Sequence, residues 1–488
     1  VVEYQQTLFS QADVTRGGKG GGGMNNFTFT LDPASRVPLY QQLYAAVVGE
    51  IRAGRLRGGE RLPSKRSLCR HLGVSRSTVE TAYGILCDEG YISSRERSGY
   101  FACELFRTPP APEPPPLPRR SAEPACRIDF STGDVDTSAF PYASWARLTK
   151  EVVYSSPQLL QRGDRQGDEP FRRELCAFLR EWRGVSCMPE QIVIGAGVEY
   201  LTDLLLQLLP EDAAIALEDP GYTAARRLFE LSRRAFVPVR LDAEGMDVQA
   251  LEDSGAAVAY LTPAHQFPMG MTMPVGRRTR LLKWASEREG RYIVEDDYDG
   301  EFRYFSRTIP AMQGLDPGGR VIYIGTFSRS LAPSIRVAYM VLPPPLLDAY
   351  LRGFAHSSST VSRLEQETLR RFIADGLYGR HLRRMNNLYR RKQALLTEAL
   401  LRLEGASVSG ADAGLHLLLR LEGADAVRVA ERAAEQGVRT YPLASYAVRA
   451  AVPRDTLVLG FAGLTAETIA EGCRVLAQAL AAERANKK

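Results

Sequence analysis

Apolar residues recur at every fourth position along "VPLYQQLYAAVVGEIRAG", where Leu39, Leu43, Val47 and Ile51 share one face. That spacing predicts an amphipathic helix closed by Gly54. In the following stretch, "GGERLPSKRSLCRHLGVSRSTVETAYGILCDEGYISSRERSGYFAC", Leu68 and Leu72 line a short second helix and Gly73 makes the turn. Ser75 is a good N-cap for a third helix whose inner face is Val79, Ala82 and Leu86, and Gly90 ends it. "YISSRERSGYFA" reads as two short strands around a polar tip, with Ser98 and Gly99 near the return. A helix, a helix-turn-helix and a β-hairpin in this order make a winged helix.

Between Pro109 and Pro124 eight of sixteen residues are proline, which predicts an extended, semi-rigid spacer and the clearest domain boundary in the chain. Beyond it the pattern alternates. The apolar runs "QIVIGAG", "AAIALEDPGY", "AVAYLTPAHQFP", "RYIVEDDYDGEF" and "VIYIGTFSRS" are short, end in polar or Gly/Pro residues, and have helical stretches between several of them. Strands without internal alternation, interspersed with helices, predict a mostly parallel sheet covered by helices. In such sheets ligands sit beyond the carboxyl ends of the strands. From about residue 355 the chain reads as helices plus a smaller α+β piece, "VSGADAGLHLLLRLEG" to "TLVLGFAGL", and a final helix. The expected domains are therefore 1–30 (a disordered N-terminal extension), 31–105 (winged helix), 106–127 (linker) and 128–485 (an α/β domain with a small C-terminal α+β subdomain). Residues 1–23 end in "TRGGKGGGG" and carry no hydrophobic period. Met24 is accordingly the expected start, with "KGGGG" an upstream ribosome-binding sequence read as protein.

Composition narrows the class. The 488 residues are 44% apolar and 24% charged, as in globular proteins, and no apolar run approaches the roughly 18 residues of a membrane span. Seven scattered cysteines without a CxxC pair point to a reduced, cytoplasmic protein and to neither a disulfide frame nor a metal site. Net charge is +5, and residues 31–103 hold eleven Arg/Lys against seven Asp/Glu, so most of the excess sits in the small N-terminal domain. Uneven basic charge hints at a polyanionic partner.

The exposed start of the third predicted helix offers Ser75, Arg76, Ser77 and Thr78, and Arg66 opens the helix before it. Arginine can fork onto guanine, and small hydroxyls suit phosphate oxygens. The same residues would also suit the solvated face of a three-helix protein-interaction module. The string "LPSKRSLCRHLGVSRSTVETAYGILCDEGYISSRERSGYF" resembles the winged helix of the GntR family nearly position by position, over roughly residues 36–103. The resemblance implies a double-stranded operator as partner, contacted by Arg66, Ser75, Arg76, Ser77, Thr78 and the wing residue Gly99.

The strand ends of the second domain gather a second set of groups. "GAGVEYL" (195–201) places backbone N–H groups at a helix N-terminus, an anion site. Tyr222 sits in the turn "EDPGY", and His265 and Gln266 lie in the loop "TPAHQFPMG". "EDDYDGEFRY" clusters Glu295, Asp296, Asp297 and Asp299 around Tyr298, and these carboxylates need cationic or metal partners. Thr326, Ser328 and Arg336 form another anion-binding group. Together they suit a phosphorylated, positively charged heteroaromatic; alternatively Asp296 and Arg336 pair with each other in the core.

Here "IDFSTGDVDTSAFPYASWARL", "LEDPGY", "TPAHQFPMGMTMP", "VEDDYDGEFRY", "GTFSRSLAPSIRVAYMVLP" and "GRHLRRMNNLYRRKQALL" resemble the fold-type I aminotransferase domain of the MocR-type regulators, over residues 128–480. The resemblance implies a pyridoxal phosphate pocket. Asp296 would pair with the ring nitrogen, Tyr298 with the ring hydroxyl, and Tyr222 would stack on the ring beside His265 or Gln266. Ala196, Gly197, Val198, Thr326 and Arg336 match positions around the phosphate. Two positions depart from the family. The Schiff-base lysine falls at Arg329, whose guanidinium stays protonated and forms no comparable imine, so no catalytic residue is expected. Val458 stands where aminotransferases carry the arginine that clamps a substrate carboxylate. The expectation is a homodimeric, DNA-binding transcriptional regulator whose aminotransferase-like domain senses pyridoxal phosphate, held non-covalently at most, or its adduct with an amine or amino acid, without turnover. The rival is a working aminotransferase with an appended DNA-binding domain; a third reading is a ligand-free dimerisation domain.

Overall fold

The computed structural model describes residues 29–105, 126–305 and 309–485. The glycine-rich start and the proline-rich segment 106–125, with the expectations attached to them, lie outside these residues. The chain divides into two compact units, residues 1–121 and 122–488.

In the first unit α1 (Leu39–Arg52) buries Leu43, Val47, Val48 and Ile51. The next helix, α2 (Lys65–Leu72), starts where the Ser64 hydroxyl accepts the Ser67 N–H, and ends at Gly73, whose φ of 67° is the left-handed conformation that glycine tolerates. Helix α3 (Arg76–Asp88) is capped by Ser75, which accepts the Thr78 N–H at 3.1 Å. Its buried face is Val79, Ala82, Tyr83 and Leu86, and truncating such a leucine typically destabilises by about 2–5 kcal/mol. Strands β1 (Ile92–Arg95) and β2 (Gly99–Ala102) pair antiparallel, with Arg95 opposite Gly99 across the tip. Backbone bonds from Ala102 to Glu60 and from Leu62 to Tyr100 tie this hairpin to the segment before α2. The winged helix is thus formed as its local signals predict.

The second unit is built on an eight-stranded sheet. A short β3 (Ile128–Asp129) precedes it, followed by β4 (Ile192–Gly195), β5 (Ile215–Asp219), β6 (Phe236–Asp242), β7 (Gly245–Met246), β8 (Val258–Leu261), β9 (Tyr292–Asp297), β10 (Val321–Thr326) and β11 (Ala338–Val341). The spatial order is β4-β11-β10-β9-β8-β5-β6-β7. Strands β6, β5, β8, β9 and β10 run parallel, while β11 is antiparallel to both β10 and β4, and β7 is antiparallel to β6. Every residue of β4, β5, β8, β9, β10 and β11 is buried, which is why these strands show no polar alternation in sequence. The C-terminal part adds β12 (Ala406–Ser409), β13 (His416–Leu421), β14 (Val438–Arg439), β15 (Tyr441–Pro442) and β16 (Thr456–Gly460). Of these, β12-β13-β16-β15 form a four-stranded antiparallel sheet, and β14 pairs parallel with β3. Among the described residues no helix is long and apolar enough to cross a membrane.

The carboxyl ends of β5, β8, β9 and β10 lie side by side. Charged or hydroxyl residues end or follow each strand: Glu218 and Asp219, Thr262, Asp296 and Asp297, and Thr326.

Candidate ligand pocket and nucleic-acid interface

A cavity of about 260 Å³ opens beyond these strand ends. Val198, Tyr222, Asp296, Tyr298, Thr326, Arg329 and Arg336 line it, together with Gly133, Glu199, Thr262, Phe267, Ser328 and Pro333. It is a pocket of buried acid at the floor, aromatic rings at the side and guanidinium groups at the wall.

Asp296 is the penultimate residue of β9 and is 2% exposed. Its Oδ2 accepts the Tyr260 hydroxyl at 2.6 Å, while Oδ1 is buried with no hydrogen-bond partner. Burial pushes the carboxyl up to about 7, against the Tyr260 hydrogen bond and the Arg329 charge, which favour ionisation. Glu218, at the end of β5, accepts from the Thr262 N–H and hydroxyl and from Gln266 Nε2; burial raises it also to about 7. The other carboxylates of the cluster find separate partners. Asp297 receives Nε and Nη2 of buried Arg183 at 2.6 and 3.0 Å and the Tyr323 hydroxyl at 2.6 Å. Glu295 accepts the N–H groups of Met312 and Gln313, and Asp299 Oδ2 lies 2.9 Å from His265 Nδ1.

Asp296 and Arg336 do not pair. Arg336 bonds Glu199 Oε2 at 2.6 Å, both side chains being about half exposed. Burial raises the Glu199 carboxyl, but the Arg336 hydrogen bond and charge together with its own N–H outweigh that and hold it below the usual range. Thr326 Oγ accepts the Ser328 N–H at 3.1 Å, and Ser328 Oγ is buried without a partner. Arg329 is half-buried and donates Nη1 to the Thr132 carbonyl. No carboxylate among the described residues lies within ion-pair distance of it.

Four of the residues picked out from sequence stand off the cavity wall. Gln266 is saturated: Nε2 donates to Glu218, Pro220 and Phe267, and Oε1 accepts the Met269 N–H. His265 sits behind Tyr298, whose hydroxyl donates to the His265 carbonyl at 3.0 Å. The Ala196 N–H is taken by Thr360 Oγ. Gly197 packs under the Arg336 guanidinium, and its φ of 103° is a conformation that favours glycine. Conversely, sequence reasoning passed over Glu199, Glu218, Thr262 and Phe267. Glu218 did carry a signal, a charged residue closing an apolar strand. Val458 is fully buried in β16 among Phe267, Leu418, Leu443 and Tyr446.

In the first unit Ser75, Arg76 and Ser77 are exposed at the start of α3, Thr78 is half-buried, and Arg66 is exposed on α2. Ser75 Oγ lies 2.8 Å from both the Ser77 and Thr78 hydroxyls. Arg76 is 82% exposed and bonds Glu80 one turn on at 3.0 Å. Gly99, with φ of 107°, opens the second wing strand beside the Arg61 guanidinium. Arg95 stacks over Phe101 at 4.5 Å, and exposed Arg97 occupies the tip.

Comparison with known proteins agrees with both halves. Residues 39–101 match the bacterial regulatory proteins of the gntR family, and residues 127–476 match aminotransferase class I and II. The chain is 40% identical over 447 residues to the uncharacterized HTH-type transcriptional regulator YdeL of Bacillus subtilis (strain 168), spanning 90% of this chain and 96% of that protein. It is 35% identical over 476 residues to the probable rhizopine catabolism regulatory protein MocR of Rhizobium meliloti, spanning 93% and 96%. Among solved structures, kynurenine aminotransferase of Pyrococcus horikoshii, in complex with PMP, superimposes with a TM-score of 0.66 at 29% identity, over 73% of this chain and 91% of that one. A DNA-binding winged helix joined to an aminotransferase fold defines a composite transcriptional regulator, not a free-standing enzyme fold. The chain belongs to the MocR-type subfamily of GntR regulators. Its first unit binds DNA, and its second has the fold-type I architecture of pyridoxal phosphate enzymes.

Proposed function

We propose that the second unit is a sensor that binds pyridoxal phosphate, or an amino compound joined to it, without covalent attachment and without turnover. The observation that carries this reading is the identity of the side chain at position 329. Arg329 lines the cavity, and a guanidinium, with its charge delocalised over three nitrogens, supplies no free amine. The described lysines of the unit give no substitute: Lys150 and Lys283 are exposed outside the cavity, and Lys392 Nζ is held by Asp136 at 2.7 Å and the Ala462 carbonyl at 2.8 Å.

The residues present nevertheless fit the cofactor as a bound ligand. The orphan Oδ1 of Asp296 is an unused acceptor for a ring N–H, and the unpartnered Ser328 hydroxyl, Thr326 and Arg336 offer donors to a phosphate. Tyr222 and Tyr298 supply the flanking aromatic surface. When bound, this cofactor supplies an electron-withdrawing ring that weakens bonds in an amino compound joined to it. What this chain does is hold, orient and read that ligand. Buried Val458 at the family's substrate-arginine position argues the same way.

The ligand shifts the regulator only through its unequal affinity for two arrangements of the protein. Residues Arg66, Ser75, Arg76, Ser77, Thr78 and Gly99 form the operator-reading surface in this proposal, and the large unit mediates a homodimer. Tyr154 and Leu160, 79% and 78% exposed, are apolar surface consistent with such a contact. Two measurements test the proposal. Isothermal titration with pyridoxal phosphate should show binding while the absorbance and borohydride reactivity of a covalently attached cofactor stay absent. Arg76→Ala should weaken operator binding by about 1–3 kcal/mol at matched salt with folding stability unchanged; unchanged affinity would count against the placement of α3 in the groove.

A further inference from the structure

The two arginines of the cavity are not equivalent. Arg336 is matched by Glu199 at 2.6 Å, so that pair adds little net charge. Among the described residues Arg329 has the Thr132 carbonyl as its one acceptor, which leaves guanidinium donors unused there. Asp296, the acid of the cavity lining, is held by the Tyr260 hydroxyl and lies outside ion-pair distance of Arg329, and burial disfavours its charged form. The wall at Arg329 is therefore a concentrated, half-desolvated positive charge without a counter-ion among the described residues.

We infer that Arg329 forms a subsite for a second anionic group, so that the cavity selects phosphorylated pyridines carrying a carboxylate beside the ring over those carrying an ammonium there. This rests on the reading of the pocket as a phosphopyridine site. A ligand that reaches both Arg336 and Asp296 within about 260 Å³ also lies within reach of Arg329, which lines the same space. The planar fork of guanidinium matches a carboxylate with two parallel hydrogen bonds. An ammonium has no acceptor to offer and is repelled. An aldehyde, a neutral acceptor, falls between. The position that would anchor a cofactor through an amine here grades ligands by the charge of one substituent.

The test is a calorimetric titration of the full-length protein, at fixed pH and ionic strength, with three probes: pyridoxamine 5'-phosphate, pyridoxal 5'-phosphate and the 4-carboxylate analogue, pyridoxic acid 5'-phosphate. The expected order of affinity is carboxylate, aldehyde, amine, with the carboxylate at least about tenfold tighter than the amine. Arg329→Gln should compress that ratio to within about threefold, and Arg329→Lys, which keeps the charge, should preserve the preference for the carboxylate over the amine. Equal binding of the three probes by the wild-type protein, or tighter binding of the amine, would overturn the inference while leaving the phosphopyridine site intact. Binding of none of them removes the site itself and the inference with it. The wild-type comparison decides even if Arg329→Gln does not fold.

Discussion

Asp296 and Asp297 leave β9 side by side and are both almost wholly buried, yet the regions they enter differ. Around Asp297 both oxygens are met: Arg183 forks onto them, Tyr323 adds a hydroxyl, and Arg183 Nη1 reaches the Gly300 and Ile309 carbonyls. Around Asp296, a residue of the cavity lining, Tyr260 meets one oxygen and the other is buried without a hydrogen-bond partner. The first region is a finished structural brace. The second has the unpaired polar atoms that a folded core otherwise avoids, which is how a ligand site differs from a core in energetic terms. The arginines repeat the contrast: Arg336 is matched by Glu199, and Arg329 meets a carbonyl but no carboxylate among the described residues.

The largest effect should come from breaking the brace. Arg183→Met leaves Asp297 buried without its cation and should destabilise the second unit by about 3–5 kcal/mol in urea unfolding. A loss below about 1 kcal/mol would mean that the two carboxylates are not so different after all.

Removing the charge at Asp296 should act in the opposite sense. Its carboxyl titrates near 7 in the folded chain. Unfolded, it titrates near about 3.9, so the native state holds this proton more tightly. The contribution of this group is fully present below the unfolded value and is lost as pH rises through the folded one, because ionising the buried carboxyl penalises the fold. Asp296→Asn cannot ionise, so its stability relative to wild type should climb between about pH 4 and pH 7, by no more than about 1.4 kcal/mol per pH unit. Paired unfolding curves at several pH values check this, and a pH-independent difference would place the Asp296 carboxylate in a better-solvated setting. The same substitution should abolish detectable pyridoxal phosphate binding.

The smallest effect should follow from Glu199→Gln. Freeing a half-exposed Arg336 for phosphate should tighten binding by less than about 1 kcal/mol and leave stability nearly unchanged. Weaker binding would show instead that Glu199 positions Arg336 for the ligand.

The winged helix was legible because its determinants are local: caps at Ser64 and Ser75, turns at Gly73 and Gly90, and apolar residues four apart. In the second unit β4, β5, β8, β9 and β10 announced themselves as buried apolar runs. Strand β6 did not, because Pro238, Arg240 and Asp242 interrupt it near the sheet edge, and β11 is four residues hard against a loop. Within the pocket, Asp296, Tyr298, Thr326 and Arg336 could be found as unusual residues at strand ends. Their partners could not. Arg183 lies 114 residues from Asp297 and Glu199 lies 137 residues from Arg336, so which charge meets which is decided by topology alone. The sequence said that a carboxylate cluster needed cations; only the fold shows that an arginine reaches Asp297 while one oxygen of Asp296 is left without a partner.

Borohydride reduction followed by intact-protein mass spectrometry, run on the wild type and Arg329→Lys after saturation with pyridoxal phosphate, tests the central claim most directly. The account predicts that the wild type retains its unmodified mass although calorimetry registers binding, while the lysine variant gains one covalently linked cofactor. A stoichiometric, site-specific cofactor adduct on the wild-type chain would contradict it.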